Sequence, residues 1–153
     1  MLTPLYFPKT KLKLTRKNEQ VYVWCDFRKK ILLLTPEEWV RQHVLHFLVE
    51  HKSVPLPLIA SEYKIEVNQL TRRCDGVVFG SNGKPIGVVE CKAPEIKLTE
   101  NVFHQIAQYN HKLMVEWLIM TNGIHTIVAN VNQSTGEINY RKEIPSYTEM
   151  LGI

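Results

Sequence analysis

The sequence is organised around residues 72–79, Arg-Arg-Cys-Asp-Gly-Val-Val-Phe, and the segment 88–92, Val-Val-Glu-Cys-Lys, which follows it. Both segments are rich in β-branched and aromatic residues, and a Gly-Ser-Asn-Gly turn sequence lies between them, so we predict two strands of a hairpin. Because side chains alternate along a strand, Glu90 and Lys92 are predicted to project from one face. Strands buried on both faces rarely carry free charge, so these two residues and Asp75 need an explanation.

The composition is that of an ordinary soluble domain. The chain has 153 residues, 44% hydrophobic and 22% charged, which is enough for one core. A formal charge of +4 and a pI near 9.0 mildly favour a polyanionic partner. The basic residues form three clusters, which a solvated face would also explain: Lys9, Lys11, Lys13, Arg16 and Lys17; Arg28, Lys29 and Lys30; and Arg72 and Arg73.

The cysteine usage and the apolar runs bear on the compartment. Cys25, Cys74 and Cys91 are odd in number and form no C-x-x-C pair, which favours a reducing compartment and argues against a disulfide framework or a zinc site. No signal peptide is visible, and no apolar run approaches the roughly 20 residues of a membrane helix. We therefore expect a cytoplasmic protein without a membrane partner.

The order of predicted elements indicates a mixed sheet with helices packed against it. A Thr-Pro-Glu-Glu start predicts a helix over 35–52, with Thr35 as N-cap and Glu38 completing a capping box. A second helix is predicted over 99–114. The predicted strands are 9–14, 20–24, 30–34, 58–65, 72–79, 88–92, 116–121, 124–131 and 137–141, with 20–24 and 30–34 as an N-terminal β-hairpin and a final helical turn at 147–151. This succession belongs to the α/β or α+β class.

Two groups of polar residues receive structural interpretations. His43, His46 and His51 lack an H-E-x-x-H context and a carboxylate at ligand spacing, so we interpret them as surface or flanking residues rather than metal ligands. Asp26 and Arg28 are interpreted as shaping the turn of the N-terminal hairpin.

The chemistry that fits Asp75, Glu90 and Lys92 is metal-assisted phosphodiester hydrolysis. Mg²⁺ takes hard oxygen ligands and is typically held by one or two carboxylates with water and substrate oxygens. Asp75 and Glu90 supply two carboxylates, and the main-chain carbonyl of Cys91 could add a third ligand. Lys92 could orient the attacking water or stabilise developing charge. The alternative is a same-face ion pair between Glu90 and Lys92, and the spacing by itself leaves both interpretations open.

Together these motifs resemble the PD-(D/E)xK nuclease superfamily and, more narrowly, the N-terminal endonuclease domain of type I restriction enzyme R subunits. The resemblance covers about residues 24–123 and rests on four segments: 34–42, Leu-Thr-Pro-Glu-Glu-Trp-Val-Arg-Gln; 73–75, Arg-Cys-Asp; 90–94, Glu-Cys-Lys-Ala-Pro; and 105–109, Gln-Ile-Ala-Gln-Tyr. It implies one restriction-endonuclease-like domain over 1–153, with an N-terminal β extension (1–34), a nuclease core (35–131) and a C-terminal edge strand and tail (132–153).

The resemblance also implies roles for individual residues. Asp75, Glu90 and Lys92 would carry out cleavage of DNA with Mg²⁺ or Mn²⁺. Gln105 and Tyr109, one helical turn apart, match the Q-x-x-x-Y motif that some of these nucleases place beside the active site. Three further residues keep alternatives: Glu38 as the first-helix acid near the metal or as a capping residue only; Arg41 as a surface ion pair with Glu37 or as a phosphate ligand; and Glu62 as an additional acid.

We therefore expect a metal-dependent DNA endonuclease of the restriction R-subunit type. The alternative is a catalytically silent nucleic-acid-binding or protein-interaction module on the same fold. The sequence has no G-x-x-x-x-G-K-[ST] motif, so ATP-driven translocation is not expected from this chain. Restriction-modification subunits are the expected partners, and a homodimer would allow both strands to be cut.

Overall fold

The computed structural model describes residues 2–153. Its strands and helices, with one 3-10 turn at Leu56–Leu58, are β1 (Leu14–Lys17), β2 (Gln20–Cys25), β3 (Lys30–Leu33), α1 (Pro36–Lys52), β4 (Ile59–Val67), β5 (Leu70–Phe79), β6 (Pro85–Cys91), α2 (Glu100–Lys112), β7 (Trp117–Thr121), β8 (Thr126–Val131), β9 (Ile138–Arg141) and α3 (Tyr147–Leu151).

The strands form two sheets. A three-stranded antiparallel sheet has the order β1-β2-β3, and a six-stranded sheet has the order β4-β5-β6-β7-β8-β9. In the larger sheet only the β6–β7 pair is parallel, because α2 carries the chain across between them. The expected α/β class with a central mixed sheet is confirmed. Within residues 2–153, no helix is both long enough and apolar enough to cross a bilayer.

The N-terminal hairpin is present but belongs to a three-stranded sheet. The predicted strand over 9–14 is wrong in its bounds, since β1 pairs with β2 from Leu14 opposite Val23 to Lys17 opposite Gln20. Asn18 and Glu19 between them both have positive φ, of 53° and 64°. Two such residues form the two-residue turn that matches strand twist, so the turn fixes which residues pair. The alternation of basic and apolar residues over 9–14 could not predict the position of this turn.

Helix α1 begins as its sequence predicts. Thr35 Oγ1 accepts the main-chain N–H of Glu38 at 3.0 Å, and Pro36 occupies the first turn. The reciprocal half of the predicted capping box is not formed, because the Glu38 carboxylate instead accepts hydrogen bonds from Arg41 and Gln42. The Glu38 side chain therefore lies in the protein interior rather than at the helix terminus.

Two cores lie on opposite faces of the larger sheet. Helix α1 packs on one face through Val40, Val44 and Leu48, which are fully buried. Helix α2 packs on the other through Phe103 and Ala107. The predicted C-terminal tail is part of the first core, which contains two of its residues, Ile144 and Met150. This arrangement places one helix on each face of the sheet that carries β5 and β6.

The surface interpretation of two histidines is wrong. His43 and His46 are buried, at 7% and 8% exposure, and burial lowers the pKa of each. The β2–β3 turn covers this side of α1, with Phe27 against the His46 ring at 5.0 Å and Asp26 at 3.7 Å. The histidine face of α1 is thus buried by the β2–β3 turn, and the residue pattern of the helix alone could not predict that contact.

Candidate active site

The strands β5 and β6 separate at the point where the charged residues lie. Their ladder runs from Phe79 opposite Pro85 to Gly76 opposite Val89. Beyond it, the main-chain N–H of Cys91 donates to Asp75 Oδ2 at 2.7 Å. The carboxylate therefore takes the place of a β5 carbonyl, and the strand that carries it positions it against the end of β6.

The β4–β5 pair is distorted beside the same residue. Glu62 lies opposite Asp75 and interrupts the ladder with a φ of 51°, a left-handed conformation that is uncommon for glutamate. Ile59 and Ile65 lie an even number of residues apart on β4, so a regular strand would place both on one face. Instead, Ile59 packs in the core under α1 and Ile65 packs in the core under α2. The strand faces are thus exchanged at this position, and Asp75 contacts α1.

Arg41 is the residue of α1 that meets Asp75. Its side chain is buried, and Nη2 donates to Asp75 Oδ1 at 2.8 Å. The predicted ion pair with Glu37 is present, at 3.6 Å, but its surface location is wrong because Arg41 is only 5% exposed. Burial would lower the pKa of Arg41, but the carboxylates of Glu38 and Asp75 raise it above its ordinary value. Arg41 is therefore a buried cation held between acids from two elements.

Among residues 2–153, Arg41 is the residue that connects Glu38 to the site. The carboxylate is 5% exposed; one oxygen accepts from Arg41 and the other accepts from Gln42 Nε2 at 2.9 Å. Glu62, the additional acid, accepts from Arg28 at 2.8 Å and lies 3.5 Å from Arg41. Arg28 lies in the β2–β3 turn, as predicted, and its side chain also reaches the site strand.

Glu90 faces the opposite helix. Arg72 of β5 donates to Glu90 Oε1 through Nη2 and to Asn110 Oδ1 of α2 through Nη1, the latter at 3.2 Å. Burial raises the pKa of Glu90 to about 8; Arg72 offsets part of this, and Asp75 adds to it. Two neighbouring carboxylates in a poorly hydrated place repel each other, so the charged pair is destabilised.

Lys92 lies just past β6 and is half-buried. Among residues 2–153, no hydrogen bond or ion pair engages its ammonium group. Its charge nevertheless lowers the pKa of both Glu90 and Glu37. The lysine is close enough to act electrostatically on the acids while its three N–H donors remain available for another group.

Helix α2 places its Q-x-x-x-Y residues beside Arg72. The Tyr109 hydroxyl donates to the carbonyl of Thr71 at 3.1 Å, and the Arg72 guanidinium lies 5.6 Å from the Tyr109 ring centroid. Gln105 is exposed and lines a shallow hollow of about 300 Å³ with Arg72, Ile106 and Tyr109. Arg72 therefore lies between this motif and Glu90, and the two motif residues do not contact Glu90 directly.

Two residues of the site were missed by sequence reasoning. Arg72 was counted only as part of a basic cluster, and Asn110, fully buried, was not considered. The position of Arg72 three residues before Asp75 on the same strand was the available signal. Its link to Asn110, 38 positions away, depends on how α2 docks on the sheet.

The donor set suits a hard divalent cation. Asp75 and Glu90 offer carboxylate oxygens, and among residues 2–153 no cluster of three His, Cys, Asp or Glu side chains is placed to hold a metal. Mg²⁺ commonly uses only one or two carboxylates and keeps several waters. Burial raises the pKa of Glu90, and a cation bound nearby would favour its charged form. The residues therefore fit Mg²⁺ or Mn²⁺, with the Cys91 carbonyl as the predicted third ligand.

Comparison with known proteins identifies the class of fold. The chain is similar to a fragment structure from Vibrio vulnificus YJ016 described as an HsdR subunit of a type I restriction enzyme, with 20% identity and a TM-score of 0.54. The similarity covers 78% of this chain and 25% of the other, so this chain spans about a quarter of the length of that fragment. No curated protein sequence matches. The fold is thus that of a restriction-enzyme fragment, a central mixed sheet flanked by helices.

Residues 36–145 match the family described as type I restriction enzyme R protein N terminus (HSDR_N). The matched segment runs from the first residue of α1 almost to α3 and contains every predicted site residue. The chain belongs to this family, a nuclease-type domain of restriction enzymes.

Proposed function

We propose that the chain is a Mg²⁺- or Mn²⁺-dependent DNA endonuclease. The observation that supports the proposal is that Asp75 and Lys92 both lie close enough to Glu90 to shift its pKa, at the end of the β5–β6 ladder. Family membership makes phosphodiester hydrolysis the chemistry to test first. DNA, restriction-modification subunits and a second copy of the chain are the proposed partners.

Each residue has a definite task in this proposal. Asp75 and Glu90 would hold the metal, which when bound supplies an acidified water and charge stabilisation at the phosphate. The Cys91 N–H and Arg41 fix the Asp75 carboxylate, so its position needs little adjustment. Lys92 has free donors to orient the attacking water and to stabilise negative charge on the phosphate oxygens.

The surrounding groups set the proton balance of the site. Glu90 binds a proton more readily than an ordinary glutamate, and metal ligands must be deprotonated. Binding of Mg²⁺ near neutral pH should therefore release a proton from the site. Titration calorimetry in two buffers of different ionisation enthalpy would detect that release, and Glu90→Gln should abolish it.

One observation favours a second candidate, a binding module that no longer cuts. Arg41 pairs with Asp75 and Arg72 pairs with Glu90, so both carboxylates are neutralised by the protein itself. Such pairs would stabilise the fold without any metal. When a cation enters, Arg41 and Arg72 would have to share these carboxylates with it.

A cleavage assay distinguishes the two candidates. Supercoiled, linear and single-stranded DNA would be incubated with Mg²⁺ or Mn²⁺ and the wild type, Glu90→Ala or Lys92→Ala. We expect metal-dependent cleavage by the wild type and its loss in both variants. If the wild type binds metal and DNA but never cuts, the binding module is correct. Cleavage by Glu90→Ala at the wild-type rate would show that the site is wrongly assigned.

A further inference from the structure

The positive charge of the chain is concentrated in its N-terminal extension. Residues 1–34 contain eight Lys and Arg against two Asp and Glu, a net charge of +6, whereas the whole chain carries +4. The rest of the chain is therefore slightly acidic. Phosphate backbones are attracted to such a basic surface.

The charges of this extension are available to a ligand. Across residues 2–153, the ion pairs involve five arginines and one histidine, and no lysine. Seven of the eight basic residues in the extension form none of those ion pairs. The exception is Arg28, which pairs with Glu62. Its lysines are exposed, so their ammonium groups could bind phosphate without breaking an existing contact.

One face of the three-stranded sheet is open and partly aromatic. Val23 and Cys25 point inward and are fully buried. The opposite face carries Tyr22, which lies between Thr15 and Leu33 across the strands, and Trp24, which lies opposite Ile31. The two aliphatic residues of this face, Ile31 and Leu33, are 60% and 44% exposed, so apolar side chains lie next to the aromatic ones at the surface.

A shallow hollow lies on this open face beside a lysine. It measures about 350 Å³ and is lined by Thr15, Lys17, Asn18, Tyr22 and Ile31. An aromatic ring and an aliphatic side chain suit the flat faces of a nucleobase. A hydroxyl and an amide can hydrogen-bond its edges, and the ammonium group suits its phosphate. We call this feature the outer-face hollow.

We propose that the outer-face hollow binds an unpaired nucleobase, so that the N-terminal sheet holds single-stranded DNA on the same chain as the active site. A base stacked inside a duplex cannot enter such a hollow, whereas an unpaired base can. Arg28 in the β2–β3 turn pairs with Glu62 at 2.8 Å, which fixes the sheet to the distorted strand of the site. The naming of DNA as the polymer rests on the proposed nuclease function.

The test is oligonucleotide binding by the full chain in EDTA, where no cleavage is needed. Fluorescence anisotropy would compare labelled oligo(dT) of about 12 nucleotides, within the site size of single-strand-binding folds, with a duplex of equal length. Tyr22→Leu removes the ring, Tyr22→Phe keeps it, and Lys17→Gln removes the charge. Lys84→Gln is the matched control, an exposed lysine in the β5–β6 turn.

We expect tighter binding of oligo(dT) than of duplex. Tyr22→Leu should weaken it about tenfold, within the range measured for base–aromatic stacking, and Tyr22→Phe should not. Lys17→Gln should weaken binding and lower the salt slope by roughly 0.7, the value for one phosphate of a single strand. Lys84→Gln should bind as the wild type does.

Three results would overturn the proposal. They are preferential binding of duplex, unchanged oligo(dT) affinity in Tyr22→Leu, or no oligo(dT) binding by the wild type, which would leave the open face to a protein partner. Failure here is separable from failure of the nuclease proposal. Lys92→Ala should keep full oligo(dT) binding while losing cleavage, and a chain that never cuts could still bind through the hollow.

Discussion

The guanidinium group of Arg41 donates to Asp75 at 2.8 Å and also to Glu38, so one buried cation joins the first helix to the strand that carries the site. The contact spans 34 positions of sequence. It makes the position of Asp75 depend on the docking of α1.

Replacing Arg41 should strongly destabilise the protein. Arg41→Ala leaves Glu38 buried with only Gln42 as a partner, and an uncompensated buried charge typically costs about 3–5 kcal/mol. Urea unfolding near pH 7 would measure the loss. The matched control is Arg141→Ala, whose pair with Glu149 is about half exposed and should contribute at most about 1 kcal/mol. Equal small losses in both variants would contradict a structural role for Arg41.

Glu90 should make the metal-free protein less stable as the pH rises. Its pKa is about 8 in the folded chain and near 4.5 ordinarily, so the folded state retains a proton that the unfolded state has lost. Stability from this group is therefore full below pH 4.5 and declines until the pH exceeds about 8. Urea unfolding in EDTA from about pH 5 to pH 8.5 would follow the decline.

The matched variant for that series is Glu90→Gln, which keeps the shape and cannot titrate. The difference between the two proteins isolates Glu90 from Glu37, His43 and His46, whose pKa values are also shifted. Parallel curves for wild type and variant would show that the carboxyl group does not retain its proton.

Lys92 should matter for cleavage and not for folding. It has no partner among residues 2–153, so Lys92→Met should change the unfolding free energy by no more than about 0.5 kcal/mol. Cleavage should fall by about 100- to 1,000-fold, the usual effect of removing one charge-stabilising donor. The control is Lys97→Met, at an exposed lysine in the following loop, which should change neither the unfolding free energy nor the cleavage rate. A large loss of stability in Lys92→Met would assign the lysine to the fold instead.

Gln105 and Gln108 offer a matched pair on α2. Both are exposed, but only Gln105 lines the hollow beside Arg72. We expect Gln105→Ala to melt as the wild type does and to cut about tenfold more slowly, the equivalent of one hydrogen bond of ~1.4 kcal/mol. Gln108→Ala should leave both properties unchanged. If Gln105→Ala cuts normally, the glutamine is a surface residue and the motif resemblance carries no function here.

Gly76 allows the close packing of α1 against β5. A Cβ added there would lie 2.8 Å from Leu45 Cδ2, so Gly76→Ala should destabilise by about 1–3 kcal/mol through overpacking. Leu45→Ala alone should cost about 2–5 kcal/mol because the leucine is fully buried. The double variant should cost clearly less than the two together, which a double-mutant cycle measures. Additive losses would show that the methyl group and Leu45 do not compete for space.

The sequence by itself determined the elements that depend on near neighbours. Thr35 and Thr99 accept N–H groups three residues ahead, so the starts of α1 and α2 follow from local composition. The content of β-branched and aromatic residues placed β5 and β6 in the core, with Asp75 and Glu90 on them. The fold class and the acidic pair were therefore predictable.

Only the tertiary structure decided what surrounds those acids. Arg41 and Arg72 pair with carboxylates 34 and 18 positions away, distances that no helical or strand period relates. The left-handed Glu62 and the exchange of strand faces beside Asp75 are likewise invisible in the sequence, because glutamate has no preference for that conformation. Local patterns fix which residues lie on a face, but the docking of helices on the sheet fixes which charges meet.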